Sequence, residues 1–335
     1  MLFKSPTDLV FGDVFLELQD VLPALPIYLK LEGCSITGSI KVKSAIRMMA
    51  RFELEGKLSP GSRVIESSSG NLGLALSMVC AAKGYSFTCI SDPNISPQTA
   101  KLIEAYGARL VIVHERDANG GFLGTRIGKI RSLLAADPDL LWVNQYANIN
   151  NVEAHYLATG PEILRRFPKV DYVFIGAGTT GTLGGVSRYI RQHSPRTRII
   201  AVDSVGSVTF GAAPGKRRIP GLGTSDPPPI RSHSSFDEMI MVNEEETVRM
   251  CLRIARKGLL LGGSSGTVLC GVERMADRLR AGDCVVAISP DLGDRYVDTI
   301  YDPAWVESAF PGVHAPRDHE SGAADAARRS SALAG

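Results

Sequence analysis

The sequence has no Cys-x-x-Cys pair, no apolar run approaching the length of a bilayer span, and no surplus of either charge. Six cysteines (Cys34, Cys80, Cys89, Cys251, Cys270, Cys284) are scattered, most of them inside apolar segments. That pattern argues against a zinc site or a disulfide framework and reads as reduced thiols in a cytoplasmic protein. Net charge is +2 with basic and acidic residues interspersed, so no electrostatic footprint for nucleic acid or an anionic membrane is present. The N-terminal MLFKSPTDLVFGDVF lacks the long apolar region and small-residue cleavage site of a secretory signal. No internal repeat of short fixed period occurs, and no Gly-Lys-Ser/Thr ending of a P-loop.

What remains is an ordinary composition, 44% hydrophobic and 21% charged over 335 residues, enough for one large or two moderate domains. Short apolar runs read as strands: Ile27 to Leu31, Arg63 to Ser67, Phe87 to Ser91, Arg109 to Val113 and Leu140 to Val143. Helical stretches separate them, the first carrying Val42, Ile46 and Met49 on one face and ending near Gly56. The rhythm resumes after a helix from about Val152 to Phe167, with YVFIGAG, RIIAVD, MIMVN and CVVAIS as strands. Strands alternating with helices predict an α/β protein on mainly parallel sheets, two of them given the number of units. The Gly- and Pro-rich segment from Gly206 to Phe236 is long for an idle loop. Residues 314–335 read as a disordered tail.

In open α/β sheets ligands bind beyond the carboxyl ends of strands. Lys41 falls in the first turn of a helix, where the positive end of the dipole favours the neutral, nucleophilic amine. Most lysines at helix starts are merely solvated, and nothing in this helix separates Lys41 from Lys43. Three strand-to-helix loops add polar chemistry. Ser67-Ser68-Ser69-Gly70-Asn71 suits a carboxylate or phosphate, although N-capping explains one of its hydroxyls. Gly176 to Gly185, which contains Gly178, Thr179, Thr180, Gly181 and Thr182, suits a small phosphate cup better than a nucleotide. Gly262-Gly263-Ser264-Ser265-Gly266 is a weaker signal, since a helix cap would also explain it. One ligand uses an amine, a phosphate cup and a carboxylate loop together: pyridoxal 5'-phosphate bound to an amino acid.

On these residues the chain resembles the cysteine synthase-like (fold type II) family of pyridoxal-phosphate enzymes, up to about Phe310. The resemblance rests on SITGSIK with Lys41, Ser68-Ser69-Gly70-Asn71-Leu72-Gly73, Gly178 to Thr182, and Gly262 to Gly266. It implies two doubly wound domains like those of the tryptophan synthase β subunit. Residues 1–40 with 147–312 would form the larger, cofactor-binding domain, and 41–146 the smaller, substrate-binding one. It further implies that Lys41 carries the cofactor and then serves as base for the α-proton. Asn71 would bond the ring oxygen, Gly178 to Thr182 the phosphate, and Ser264 the ring nitrogen. Ser68, Ser69, Gly70 and Gln145 would hold the substrate carboxylate. A homodimer is implied too.

Departures from the family pattern narrow the branch. The usual N-terminal G-x-T-P-L is missing, Val42-Lys43 follows the lysine, Thr180 replaces a glycine, and Leu72 replaces a threonine. Segments such as SDPNISP, WVNQYAN, AVDSVGSVTFG, IPGLGTS and SPDLGDRY are similar to the branch that makes 2,3-diaminopropionate precursors for siderophores and peptide antibiotics. That branch implies a β-replacement joining O-phospho-L-serine, or an O-acylserine, to the amine of L-glutamate. The implied product, N-(2-amino-2-carboxyethyl)-L-glutamate, passes to a partner dehydrogenase. A glutamate nucleophile brings two carboxylates, and Arg126 and Tyr146 are candidates to receive them. A cysteine synthase using O-acetylserine and sulfide, a serine or threonine dehydratase, and a catalytically silent binding protein are the competing readings. His155 and His193 read as ordinary helix residues with surface or capping roles. Arg217 and Arg218 are candidates for a lid or a phosphate contact.

Overall fold

The computed structural model describes residues 2–22, 25–117 and 120–313. The tail at 314–335 therefore lies outside the described residues. The chain opens with an antiparallel hairpin of β1 (Phe15–Leu22) and β2 (Leu25–Leu31). There follow α1 (Lys41–Leu54), β3 (Arg63–Ser67), α2 (Asn71–Lys83), β4 (Ser86–Ser91), α3 (Pro97–Ala105), β5 (Arg109–Ile112), α4 (Leu123–Ala136) and β6 (Leu140–Trp142). The second half begins with α5 (Asn150–Ala154), a π turn over His155–Thr159, and α6 (Gly160–Arg166). Next come β7 (Tyr172–Gly176), α7 (Gly181–His193), β8 (Arg198–Ser204) and β9 (Glu238–Val242). The series closes with α8 (Glu244–Ala255), α9 (Gly263–Glu273), β10 (Val285–Ser289) and α10 (Pro303–Ala309).

Two sheets result. One has the order β1-β2-β10-β7-β8-β9, the other β5-β4-β3-β6, and every pairing except β1 with β2 is parallel. Parallel strands covered on both faces should read as unbroken apolar runs, and β10 (VVAIS) is buried at all five positions. The predicted stripe of α1 packs as expected, with Val42 and Met49 in the core of the smaller sheet and Ile46 against it. Val285, Ala287 and Ile27 help fill one side of the larger sheet, and Val173, Ile175 and Val286 the other.

Two features differ from the sequence reading. β1 has no clear sequence signature, because Glu17, Gln19 and Asp20 interrupt its apolar pattern and the connection to β2 carries no Asn-Gly or Asp-Gly signal. The helix expected from Val152 to Phe167 has a π turn at its centre. Gly185 of α7 lies against that turn. A Cβ there would sit 2.3 Å from the Val152 carbonyl oxygen and 2.6 Å from the Tyr156 nitrogen, so only glycine lets the two segments meet. Segment 206–228 has no helix or strand and folds back on the larger sheet: the Gly223 amide donates to the Ala177 carbonyl just beyond β7.

Candidate active site

The strand order places the site. β10 lies between β2 and β7, all three parallel, so their following loops emerge side by side. The loop after β2 leads to Lys41, the loop after β7 is the Gly/Thr stretch, and the loop after β10 begins Pro290-Asp291. Together with Asn71, Ser264, Gly221 and Leu222 they line a cleft of about 520 Å³, counting the part open to solvent. The expected sites at Lys41, Asn71, Gly178 to Thr182 and Ser264 thus meet around one space.

The two lysines of α1 have opposite surroundings. Lys43 is buried and turned away from the cleft, its amine 2.9 Å from Glu32 and 2.6 Å from Glu162. Lys30 completes the cluster, 2.9 Å from Glu32 and 2.8 Å from Glu162. These carboxylates raise the Lys43 pKa against the effect of burial. Lys41 takes part in none of the ion pairs among the described residues and lines the cleft. Burial lowers its pKa, opposed by the charge of Asp291. An amine with easier access to its neutral form is what a Schiff-base lysine requires.

The Gly/Thr loop fits a phosphate. Gly178 runs so close to the Gly221 carbonyl that a Cβ would approach it to 2.7 Å. Thr180 takes the left-handed conformation (φ 70°), which explains why glycine is usual there and which costs about 1–2 kcal/mol for other residues. Its hydroxyl and that of Ser39 are buried, line the cleft, and have no hydrogen-bond partner among the described residues. Unpaired buried donors of this kind are costly unless a ligand accepts from them. Thr179 and Thr182 add two more hydroxyls at the N-terminus of α7.

Facing the lysine is an arrangement that sequence reasoning did not assemble. Asp291 accepts from Asn71 Nδ2 (2.7 Å), Ser264 Oγ (3.2 Å) and Tyr296 Oη (2.5 Å). Burial raises its pKa while these donors and Arg295 oppose the rise. Arg295 donates to Asn71 Oδ1 and to the Thr37 carbonyl. SPDLGDRY was part of the family likeness, but no role for Asp291, Arg295 or Tyr296 followed from it.

The carboxylate-side residues divide. Ser68 is occupied within the loop, its hydroxyl accepting from the Gly70 and Gly73 amides at 3.2 and 3.0 Å. Ser69 is partly buried, and at Gly70 a Cβ would meet nothing within 4 Å, so open space lies above the loop. Gln145 is buried, its side chain donating to the Ser67 carbonyl at 2.8 Å. Glu66 lies beneath, accepting from the Ser67 and Gln145 amides, and burial pushes its carboxyl up to about 7. Asn151, also unforeseen, donates to the Gln145 carbonyl (2.9 Å) and Thr179 Oγ1 (3.2 Å), joining the carboxylate side to the phosphate side. Arg126 is not on a solvated helix face. It is buried, 3.3 Å from Asp92, and close enough to Tyr146 to oppose the rise that burial gives its pKa. Leu72 packs in the core of the smaller sheet. Arg217 is engaged inside its own segment, donating to the Leu222 carbonyl (2.9 Å), and the Arg218 amide donates to Glu244. His155 is fully buried, contrary to the surface or capping role expected for it, because Gly185 brings α7 directly over it. His193 is exposed and stacked on Tyr189.

A half-buried amine disposed to lose its proton, sharing one cleft with a Gly/Thr loop and the unpaired buried hydroxyls of Ser39 and Thr180, is the arrangement of an enzyme that holds a phosphate-bearing aldehyde cofactor. The family described as "Pyridoxal-phosphate dependent enzyme" matches residues 14–291, and the chain belongs to it. Its cofactor is pyridoxal phosphate. A relative from Ralstonia nicotianae, N-(2-amino-2-carboxyethyl)-L-glutamate synthase, is 38% identical over 332 residues, covering 94% of this chain and 98% of the relative. Among solved structures, O-ureido-L-serine synthase is 30% identical with a TM-score of 0.82, covering 96% of this chain and 100% of that one. The O-acetylserine dependent cystathionine beta-synthase from Helicobacter pylori is 28% identical with a TM-score of 0.84, covering 90% and 100%. The fold is therefore that of the fold type II enzymes.

Proposed function

We propose that the chain catalyses a β-replacement in which L-glutamate displaces the oxygen substituent of O-phospho-L-serine, or of an O-acylserine, to give N-(2-amino-2-carboxyethyl)-L-glutamate. The observation that carries this reading is the 38% identity, spanning nearly the whole of both chains, with the synthase that bears that product's name. When bound, the cofactor supplies an electron sink for negative charge on the substrate α-carbon.

The roles of the chain's own residues follow. The Lys41 amine holds the cofactor and accepts the α-proton. The hydroxyls of Thr179, Thr180 and Thr182, with the backbone of Gly178 and Gly181, bind the phosphate. Asn71 and Ser264, both steadied by Asp291, face the ring. The amides near Ser69 and Gly70, backed by Gln145, take the substrate carboxylate. Arg126 and Tyr146 receive the charge of the second substrate, which sulfide would not bring; a buried guanidinium near Tyr146 supports that assignment. In the net reaction the Cβ–O bond breaks with its electron pair leaving on phosphate. A Cβ–N bond forms, the glutamate amine loses a proton, and the α-proton is returned. The larger sheet with residues 1–40 and 147–312 acts as the cofactor domain and 41–146 as the substrate domain. A cytoplasmic homodimer and a dehydrogenase that consumes the product, in siderophore or antibiotic synthesis, belong to the same proposal and rest on the family resemblance. No helix among the described residues is long and apolar enough to cross a membrane.

Incubation of the holoenzyme with O-phospho-L-serine and L-glutamate should release one phosphate for each adduct counted by mass spectrometry. Efficient use of sulfide with glutamate ignored would sink the proposal.

A further inference from the structure

We propose that His155 is a positioning residue for the phosphate end of the cleft: a buried hydrogen-bond chain from Lys43 through Thr159 and His155 directs the hydroxyl proton of Thr182 toward a bound phosphate. The inference rests on the assignment of Gly178 to Thr182 as the phosphate cup.

The chain is read from its ends. Lys43 Nζ, held by Glu32 and Glu162, stands 3.4 Å from Thr159 Oγ1, and an ammonium can only donate. Thr159 Oγ1 also lies 3.0 Å from His155 Nδ1. Of these two neighbours only the ring nitrogen can accept, so the Thr159 proton goes to Nδ1. The His155 ring is neutral: burial and the charges of Lys43, Lys41 and Lys30 push its pKa well below the usual histidine value. A neutral imidazole that accepts at Nδ1 must donate at Nε2. Nε2 has two hydroxyl neighbours, Ser44 Oγ at 3.1 Å and Thr182 Oγ1 at 3.3 Å, and its proton is offered between them. Thr182 Oγ1, accepting from below, keeps its own proton for the cleft that it lines. Thr159 and His155 are fully buried, so no water competes along the path. The polarity of the chain suits an anion and would oppose a cation.

A link that acts on the phosphate alone leaves a signature that a packing role does not. The apoprotein would be titrated with pyridoxal 5'-phosphate and with pyridoxal, which keeps the aldehyde but has no phosphate. His155→Ala should weaken pyridoxal 5'-phosphate binding by about tenfold, the scale of one hydrogen bond to a charged group, and leave pyridoxal binding unchanged. Thr182→Val should show the same selective loss, and the double variant should be no worse than either alone. His155→Gln, with one donor and one acceptor, should recover most of the affinity. Thr159→Val removes the upstream link without opening a cavity, and should reduce the preference for the phosphorylated ligand even if His155→Ala fails to fold. Equal weakening of both ligands in the His155 and Thr159 variants would show a structural role and overturn the proposal. Selective loss in Thr182→Val with none in His155→Ala or Thr159→Val would overturn the chain and leave the cup intact. No loss in Thr182→Val would overturn the proposal at its last link, the Thr182 hydroxyl.

Discussion

Lys41→Ala should lose the visible absorbance of the bound cofactor and lower turnover by roughly 10³-fold or more, within the range for removing a general acid–base group. It should do so without loss of stability. Lys41 is in none of the ion pairs among the described residues, and burial depresses its pKa. A lysine whose folded pKa lies below its unfolded one is bound less readily as a cation by the fold, so at neutral pH its charge is a cost. Replacing it with a neutral side chain removes that cost, and the urea midpoint of the apoprotein should stay level or rise. A marked drop in that midpoint would mean that Lys41 is structural.

Two residues along the same helix, the opposite result is expected. Lys43→Met should lower apoprotein stability by about 3–5 kcal/mol, because the fully buried Glu32 loses one of its two cationic partners and Glu162 is left crowded beside Lys30 alone. The pH dependence has a definite sign. The Lys43 pKa is raised by folding, so its contribution is full below the unfolded lysine value and is lost as pH rises through the higher folded one. The Glu162 pKa is lowered by the two lysines, so its contribution is full above the unfolded carboxyl value and is lost as pH falls through the lower folded one. The cluster therefore stabilises across the neutral range, and the difference between wild type and Lys43→Met should shrink at both extremes of a denaturation series. A variant as stable as wild type would contradict the account of the cluster.

This contrast also shows where sequence reasoning stops. Successive helix residues turn by about 100°, so Lys41 and Lys43 must lie on nearly opposite faces, but periodicity does not say which face meets the cleft. Only the packing of α1 against the segment that carries Glu162 decides it. Local signals served well for strands such as β3, whose bounds Arg63 and Ser67 were read directly, and for the loops after β3 and β7. Partners remote along the chain were out of reach. Asn71 and Asp291 are 220 residues apart and nothing in either neighbourhood pairs them. His155 reads as a routine helix residue because its neighbour on α7 is invisible in the sequence, and Asn151 carries no signal of its own. Arg126 is buried through Asp92, a contact between a loop and a helix that an amphipathic pattern does not record.

The most direct test of the central claim is to reduce the holoenzyme with borohydride and sequence the labelled peptide by fragmentation. The account predicts one cofactor-sized mass addition, carried by Lys41 within SITGSIKVK. An addition on Lys43, or none on either lysine, would contradict it.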